Sequence, residues 1–374
     1  MIGIFSFFAG AGFLDLGFET TGHYKTLFVN EFKDSFNQIY QFSRERMGIP
    51  SPTYGHHVGD VAVWLNDKDE NNKLHNWVKE SRCLDGIDMV GFIGGPPCPD
   101  FSVAGKNKGK EGDNGKLSQT YVNLICDIKP DFFVFENVKG LYRTAKHREF
   151  FEQLKSQLRA AGYNMTEQLI NSIEFGAPQD RDRIILVGFQ RKFSKPLGVV
   201  SKAGTITNFD WDKNKKFSRD VFNLQWPTTS RYVENGELSM PEGIIPELTV
   251  QYWWEKNDVA NHPNESMYFK PRAGLYRFES KDEGDNEKKC YKRLHRWRYS
   301  PTAAYGNNEV HIHPYLPRRI SVAEALAIQS LPASYVIPDT VTLTDAFKTI
   351  GNGVPYLAAK GIALDIYDYV TRKH

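Results

Sequence analysis

Along the first 190 residues, short apolar runs rich in β-branched and aromatic side chains alternate with stretches whose apolar positions recur at helical spacing. Residues 2–7 read as a first strand, followed by a helix over about 13–20 that stops at Gly22. Residues 24–29 are a second strand and 34–46 the next helix. Two more strands fall at 89–93 and 131–135, with a helix near 119–128 between them. The stretch 146–161 carries Phe150, Phe151, Leu154 and Leu158 at helical spacing, ends at Gly162, and leads to a late strand at 184–189. This alternation predicts an α/β fold with a doubly wound, mostly parallel sheet covered on both faces.

The texture changes after about residue 190. Positions 191–300 are rich in Trp, Tyr, Pro, Lys and Arg and lose the strand–helix rhythm, which predicts a second, smaller, loop-rich domain. Order returns at Ser321-Val322-Ala323-Glu324, a capping box that opens a helix ending before Pro332. A last helix, about 355–370, is expected to return to the first domain. The division is therefore 1–190 with 340–374 for one domain, and 191–339 for the other with its supporting helix.

Composition narrows the class without naming it. The chain has 374 residues, 40% hydrophobic and 25% charged, as ordinary globular proteins do. No apolar run approaches the length of a membrane span, and residues 1–6 read as a strand entering a glycine loop, not as a signal peptide. Four cysteines without CxxC spacing argue against a disulfide scaffold and a zinc site, so a reducing cytoplasm is expected. With 47 basic and 45 acidic residues the net charge is only +2, so any polyanion-binding surface must come from local segregation of charge.

The candidate chemistry sits at strand ends. Phe7-Phe8-Ala9-Gly10-Ala11-Gly12 joins the first strand to its helix, where glycines admit a ligand close to the backbone. Glu31 ends the second strand, placed to accept hydrogen bonds from ribose hydroxyls. Asp15 stands where a dinucleotide fingerprint needs its third glycine, so a nucleoside ligand without a pyrophosphate fits better. Gly94-Gly95-Pro96-Pro97-Cys98-Pro99 presents a thiol between prolines, and the Gly/Lys-rich loop 104–116 after it has the polarity of a lid over a polyanion. Glu136 follows four apolar residues, where partial desolvation suits a general acid. Arg181 and Arg183 alternate along one side of their strand, placed either to bind a phosphate or base oxygen or to pair with neighbouring acids. In a doubly wound sheet these positions converge outside the carboxyl ends of the strands.

Taken together, these residues resemble a DNA (cytosine-5) methyltransferase of the bacterial restriction–modification type, over nearly the whole chain and in family order. The resemblance implies the S-adenosylmethionine-dependent methyltransferase fold and double-stranded DNA as substrate. It implies a cofactor site including Phe7, Ala9, Gly10, Gly12, Glu31, Asp60, Pro97 and Asn352, the last from Gly351-Asn352-Gly353-Val354-Pro355. It also implies Cys98 as nucleophile, Glu136 of Glu136-Asn137-Val138 as acid, and Arg181 and Arg183 of the Gln-x-Arg-x-Arg motif as catalytic supports. Arg319 through Pro332 resembles the family helix that supports the recognition domain. The sequence departs from the family at Pro99-Asp100, where glutamine usually follows the cysteine.

By the same resemblance, 191–300 takes the target-recognition role. Lys288, Lys289, Lys292, Arg293, Arg296 and Arg298 lie there among Tyr291, His295 and Trp297. Ser102, Lys106, Arg293, Arg296, Arg298 and Thr302 are the expected DNA contacts. A cognate restriction endonuclease is implied as a functional partner, and a monomer is the default. Rival readings are a tRNA cytosine-5 methyltransferase, which shares the catalytic motifs, and an amino-methyltransferase, whose Asp/Asn-Pro-Pro-aromatic motif is absent. A non-catalytic DNA-binding protein would have no need for both the thiol and the acid.

Overall fold

The computed structural model describes residues 1–97, 113–197, 200–271, 275–288, 290–305 and 309–372. Seven strands, β1 (Ile2–Phe7), β2 (Tyr24–Glu31), β3 (His56–Val58), β4 (Met89–Gly94), β5 (Phe132–Val138), β6 (Tyr163–Asn171) and β7 (Asp182–Gln190), form one sheet in the order β3-β2-β1-β4-β5-β7-β6. The first five run parallel, and β7 is antiparallel to both of its neighbours. The direction of winding reverses between β1 and β4. That opens a crevice at their carboxyl ends, the place where such sheets bind ligands.

The helices are α1 (Phe13–Glu19), α2 (Asp34–Arg46), α3 (Val63–Asn66), α4 (Lys68–Ser81), α5 (Asp113–Ile128), α6 (Ala145–Ala160), α7 (Arg191–Leu197), α8 (Val250–Lys256), α9 (Tyr276–Glu279), α10 (Val322–Ile328), α11 (Leu343–Asn352) and α12 (Tyr356–Thr371). Alternation along β1 sends Phe5 and Phe7 to one face and Ile2 and Ile4 to the other. The first face packs on α4, α5 and α6 through Leu74, Val78, Ile125, Phe150 and Leu154. The second packs on α1 and α12 through Phe18, Ile362 and Ile366. β1 is buried along its whole length, so it is apolar on both faces, as a central parallel strand must be.

Most predicted elements are present within a residue or three, and the capping box is formed: Ser321 N–H donates to Glu324 Oε2 at 2.7 Å and Glu324 N–H to Ser321 Oγ at 3.2 Å. Four elements of the first half were not legible. β3 has only three residues and α3 only four, α4 buries little beyond Leu74 and Val78, and β6 mixes polar residues into an outer strand. The sheet region also extends past residue 190. Thr205 bridges to Met165, and Ile206, Phe209 and Trp211 join the apolar layer under α12. Beyond them Val221, Trp226, Ile244 and Leu248 make a small separate core with Trp297 and Tyr299. Among the described residues no helix is long and apolar enough to cross a membrane.

Candidate active site

The turn after β1 holds three left-handed residues, Phe8 (φ 54°), Gly10 (φ 58°) and Gly12 (φ 76°). A Cβ on Gly10 would find nothing nearer than Thr349 Oγ1 at 3.8 Å, so a ligand can approach the backbone there. On Gly12 it would lie 2.5 Å from Tyr40 Cδ2 and 2.8 Å from Arg44 Nη2, so only glycine fits. Glu31 closes the crevice from β2. Its Oε2 accepts from Gly10 N–H at 2.8 Å and its Oε1 from Lys33 N–H at 2.9 Å. Burial pushes the Glu31 carboxyl above its ordinary pKa, and the two backbone donors oppose that rise.

The other predicted cofactor positions divide. Ala9 lies on the turn, its N–H donating to Asn30 O at 3.2 Å. Asp60 is exposed two residues beyond β3, capping the following turn through Ala62 N–H at 2.9 Å. Pro97 is exposed after β4, and Asn352 is exposed at the end of α11. Phe7 is a correction: its ring is 1% exposed and packs against Phe28 and Phe92, so only its backbone can reach the crevice. Two neighbours of Glu31 complete this picture. Asn30 ties β2 to the Gly59 turn through His57 O (3.0 Å) and Gly59 O (3.2 Å), and Phe32, next to Glu31, leaves its ring 73% exposed.

Across β4 lies an acid–base pair. Glu136 on β5 and Arg183 on β7 meet because the antiparallel register sets Val138 opposite Arg183 and Glu136 opposite Ile185. Arg183 Nε stands 2.7 Å from Glu136 Oε1, both side chains about one-tenth exposed, and Arg183 Nη1 donates to Asp182 O at 2.7 Å. Gly95, just after β4, faces the same carboxylate: a Cβ there would stand 2.5 Å from Glu136 Oε2. Of the predicted Cys98, Ser102 and Lys106, none lies within the described residues; the chain is described up to Pro97, two residues past Gly95.

Arg181 goes elsewhere. It is buried, and its guanidinium donates to Ala303 O at 3.0 Å and Gly351 O at 2.8 Å, clamping β7 to the segment after 300 and to the end of α11. Burial holds its pKa well below the ordinary arginine value. Gln179 works alongside it, accepting from Ala303 N–H at 3.0 Å. Thr302 is exposed and donates to Asp180 O at 2.6 Å, which sets it beside the strand that carries Arg183.

Arg293 and Arg296, expected on a DNA-reading surface, point inward instead. Arg293 is fully buried, stacks on Tyr232 at 4.0 Å, and donates to the carbonyls of His313, Pro314, Leu316 and Phe278. Arg296 grips Glu283 with Nε and Nη2, both at 2.9 Å, and reaches Gly236 O at 2.8 Å. The correction has a physical cause. A planar guanidinium with five donors suits carbonyl-rich loops that lack a sheet to satisfy them, and nothing in a basic–aromatic sequence separates that use from phosphate binding. Arg298 stays half-buried, with Nη1 on Pro227 O at 3.3 Å.

A glycine turn and a carboxylate at the switch point, with a carboxylate–guanidinium pair across β4, fit a group-transfer enzyme that takes a nucleoside cofactor. The chain matches the C-5 cytosine-specific DNA methylase family over residues 2–368 and belongs to it. It is 61% identical over 368 residues to the type II methyltransferase M.NmeDI of Neisseria meningitidis serogroup C, covering 98% of this chain and 84% of that protein. It is 28% identical to M.FnuDI of Fusobacterium nucleatum, covering 99% and 95%. Among solved structures, the Schizosaccharomyces pombe Dnmt2 methyltransferase shares the fold, with a TM-score of 0.59 at 14% identity over 98% of this chain and 99% of that one. An E. coli prophage protein described as a DNA modification methyltransferase has a TM-score of 0.66 at 20% identity over the full length of both.

Proposed function

We propose that this DNA cytosine-5 methylase acts on a flipped-out cytosine within a short duplex sequence, as the modification enzyme of a restriction–modification system in the bacterial cytoplasm. The observation that carries this reading is the Glu136–Arg183 pair packed against Gly95, three residues before Cys98. In this reading Glu31, the Gly10 turn, Asp60, Phe32 and Asn352 would hold S-adenosylmethionine, and the open approach at Gly10 fits a ligand lying against the backbone. When bound, it supplies an electrophilic methyl group.

The chain's own residues prepare the base. Cytosine C5 is a poor nucleophile, so the Cys98 thiolate adds to C6, forming an S–C6 bond and moving electron density to C5. Glu136 donates a proton to N3, so negative charge does not accumulate on the ring, and accepts from the exocyclic amine. Arg183 holds that carboxyl group in place and offers its guanidinium to the base oxygen. After alkylation, a base takes the C5 proton and the S–C6 bond breaks, returning the thiolate. None of these atoms is reachable in a stacked duplex, so the base must leave the helix.

With Arg293 and Arg296 turned inward, base reading falls to the segment that they and their neighbours hold. Arg296 and Trp297 anchor Gly236 O and Leu238 O, while Arg231, Val233, Asn235, Glu237 and Met240 stay exposed. Those side chains offer the donors, acceptors and apolar contacts that major-groove edges require.

The test is incubation of the protein and S-adenosylmethionine with mixed-sequence duplex DNA and, separately, tRNA, followed by bisulfite sequencing. Cytosines protected at one repeated DNA motif are expected, with none in the Cys98→Ala protein although it still binds cofactor. Protection in tRNA alone, or retained activity in Cys98→Ala, overturns the reading.

A further inference from the structure

The glycine turn is held from beneath by groups that no ligand could touch. Arg44, from the last turn of α2, is 4% exposed, and its Nη2 donates to Gly12 O at 2.6 Å. Its Nε donates to Glu19 Oε2 at 2.8 Å, and its guanidinium lies over the Tyr40 ring at 4.5 Å. Tyr40 and Arg44 are the same two side chains that exclude a Cβ at Gly12. One residue back, Tyr335 donates its hydroxyl to Ala11 O at 2.7 Å and takes Phe13 edge-on at 5.2 Å. Thr26 completes the layer, donating to Glu19 Oε1 at 2.6 Å.

We infer that Arg44 is a positioning residue for cofactor binding, acting through the Gly12 carbonyl. The inference rests on the reading of the 8–12 turn as the cofactor site. A peptide unit is planar with C=O and N–H on opposite sides, so a carbonyl drawn inward holds the next N–H outward. Gly12 O already accepts the helical bond from Leu16 N–H at 2.9 Å, and Arg44 occupies its second lone pair. This fixes the peptide between Gly12 and Phe13 at the entrance to α1. Glycine is required at 12 for its φ, yet glycine by itself leaves the turn free to take several conformations. The brace removes that freedom before the ligand arrives, and preorganisation of this kind appears as affinity.

The choice of arginine has a geometric reason. Its planar fork reaches Glu19 and Gly12 O at once while its face covers Tyr40, whereas an ammonium can serve only part of that set. Burial works against the charge and is the largest single influence, but Glu19, Tyr40, Tyr335 and Asp15 together more than offset it, so the guanidinium stays protonated. A buried ionic cluster is a poor device for stability alone, since apolar side chains of similar volume do as well or better. This cluster also leaves Arg44 Nη1 without a hydrogen-bond partner, and burial raises the pKa of the neighbouring Asp15 to about 7. A role beyond packing accounts for that cost.

The experiment compares Arg44→Lys, Arg44→Gln and Tyr335→Phe with the unaltered protein, measuring cofactor affinity by calorimetry without DNA, KM for cofactor and for DNA, kcat, and Tm. Loss of one charge-assisted bond predicts cofactor affinity weaker by about 10- to 100-fold in Arg44→Gln. Arg44→Lys should recover part of it, Tyr335→Phe should shift it in the same direction, and KM for DNA should stay within about threefold in all. Variants that are folded at the assay temperature but bind cofactor as the unaltered protein does overturn the inference. So does an equal loss of affinity for cofactor and DNA, which marks general loosening. Glu31→Ala separates this failure from that of the underlying reading. If it too leaves cofactor affinity unchanged, the site assignment falls with the brace; if it alone abolishes binding, only the brace falls. Should Arg44→Gln fail to fold, Tyr335→Phe and Arg44→Lys decide.

Discussion

Gly95→Ala tests the catalytic pair through a single methyl group. The new Cβ would lie 2.5 Å from Glu136 Oε2, and an ordinary carbon–oxygen contact needs roughly 3.4 Å, so the carboxylate must retreat by about 1 Å. It can do so only by loosening its 2.7 Å pairing with Arg183, because Gly95 and its proline neighbours are the stiffer side. Misplacement of a reacting group by that distance costs about 100-fold in rate, or roughly 2.7 kcal/mol of transition-state stabilisation. The fold should tolerate the change, with Tm lowered by no more than about 4 °C, since the displaced atom ends a side chain and is not backbone. The assay is transfer of labelled methyl groups to duplex DNA, read beside Tm and cofactor affinity. In a Glu136→Gln background the same methyl group should matter far less, because the group it displaces has already lost its role. A Gly95→Ala protein with kcat within about twofold of the unaltered enzyme would refute the placement of Glu136 at the reacting base.

Two other consequences are open to measurement. Exchanging residues 218–299 for the matching segment of a relative with different specificity should change the methylated sequence while kcat stays within about tenfold; an unchanged methylation pattern rules out the recognition role. His311 is 1% exposed, and burial, with Lys292 and Arg319 nearby, pushes its pKa down to about 3. Its folded pKa is below the unfolded value of about 6.5, so the stability it contributes is whole above pH 6.5 and lost as pH falls toward 3. Between pH 6.5 and 5 that loss is about 2 kcal/mol, and His311→Gln should flatten this part of the stability curve; an equal acid slope in both proteins contradicts it.

The sequence by itself determined the regular elements, because local chemistry decides them. β1 is an apolar run bounded by a turn, α2 has an amphipathic period, and Ser321 through Glu324 cap α10 with side chains three residues apart. It also set the Gly10–Gly12 turn, Glu31 and Glu136 toward the carboxyl ends of their strands, the side on which open parallel sheets bind ligands. β3, α3, α4 and β6 escaped because their burial is small or one-sided, and only neighbouring strands and helices make them regular.

Where a side chain ended was decided by tertiary structure. Arg183 and Arg181 are two residues apart, yet one pairs with Glu136 across an antiparallel register while the other binds carbonyls of residues 303 and 351. Arg293 and Arg296 have the composition of a phosphate-binding stretch, but the loops around them present the carbonyls of Pro314, Leu316 and Gly236, and the guanidiniums turn to those. Arg44 carries no motif at all. Its role exists because α2 packs beneath the turn after β1, bringing residues 12, 19 and 44 within hydrogen-bond reach. A charge's chemistry is written in its residue type, but its partner is fixed only when distant segments compete to desolvate it.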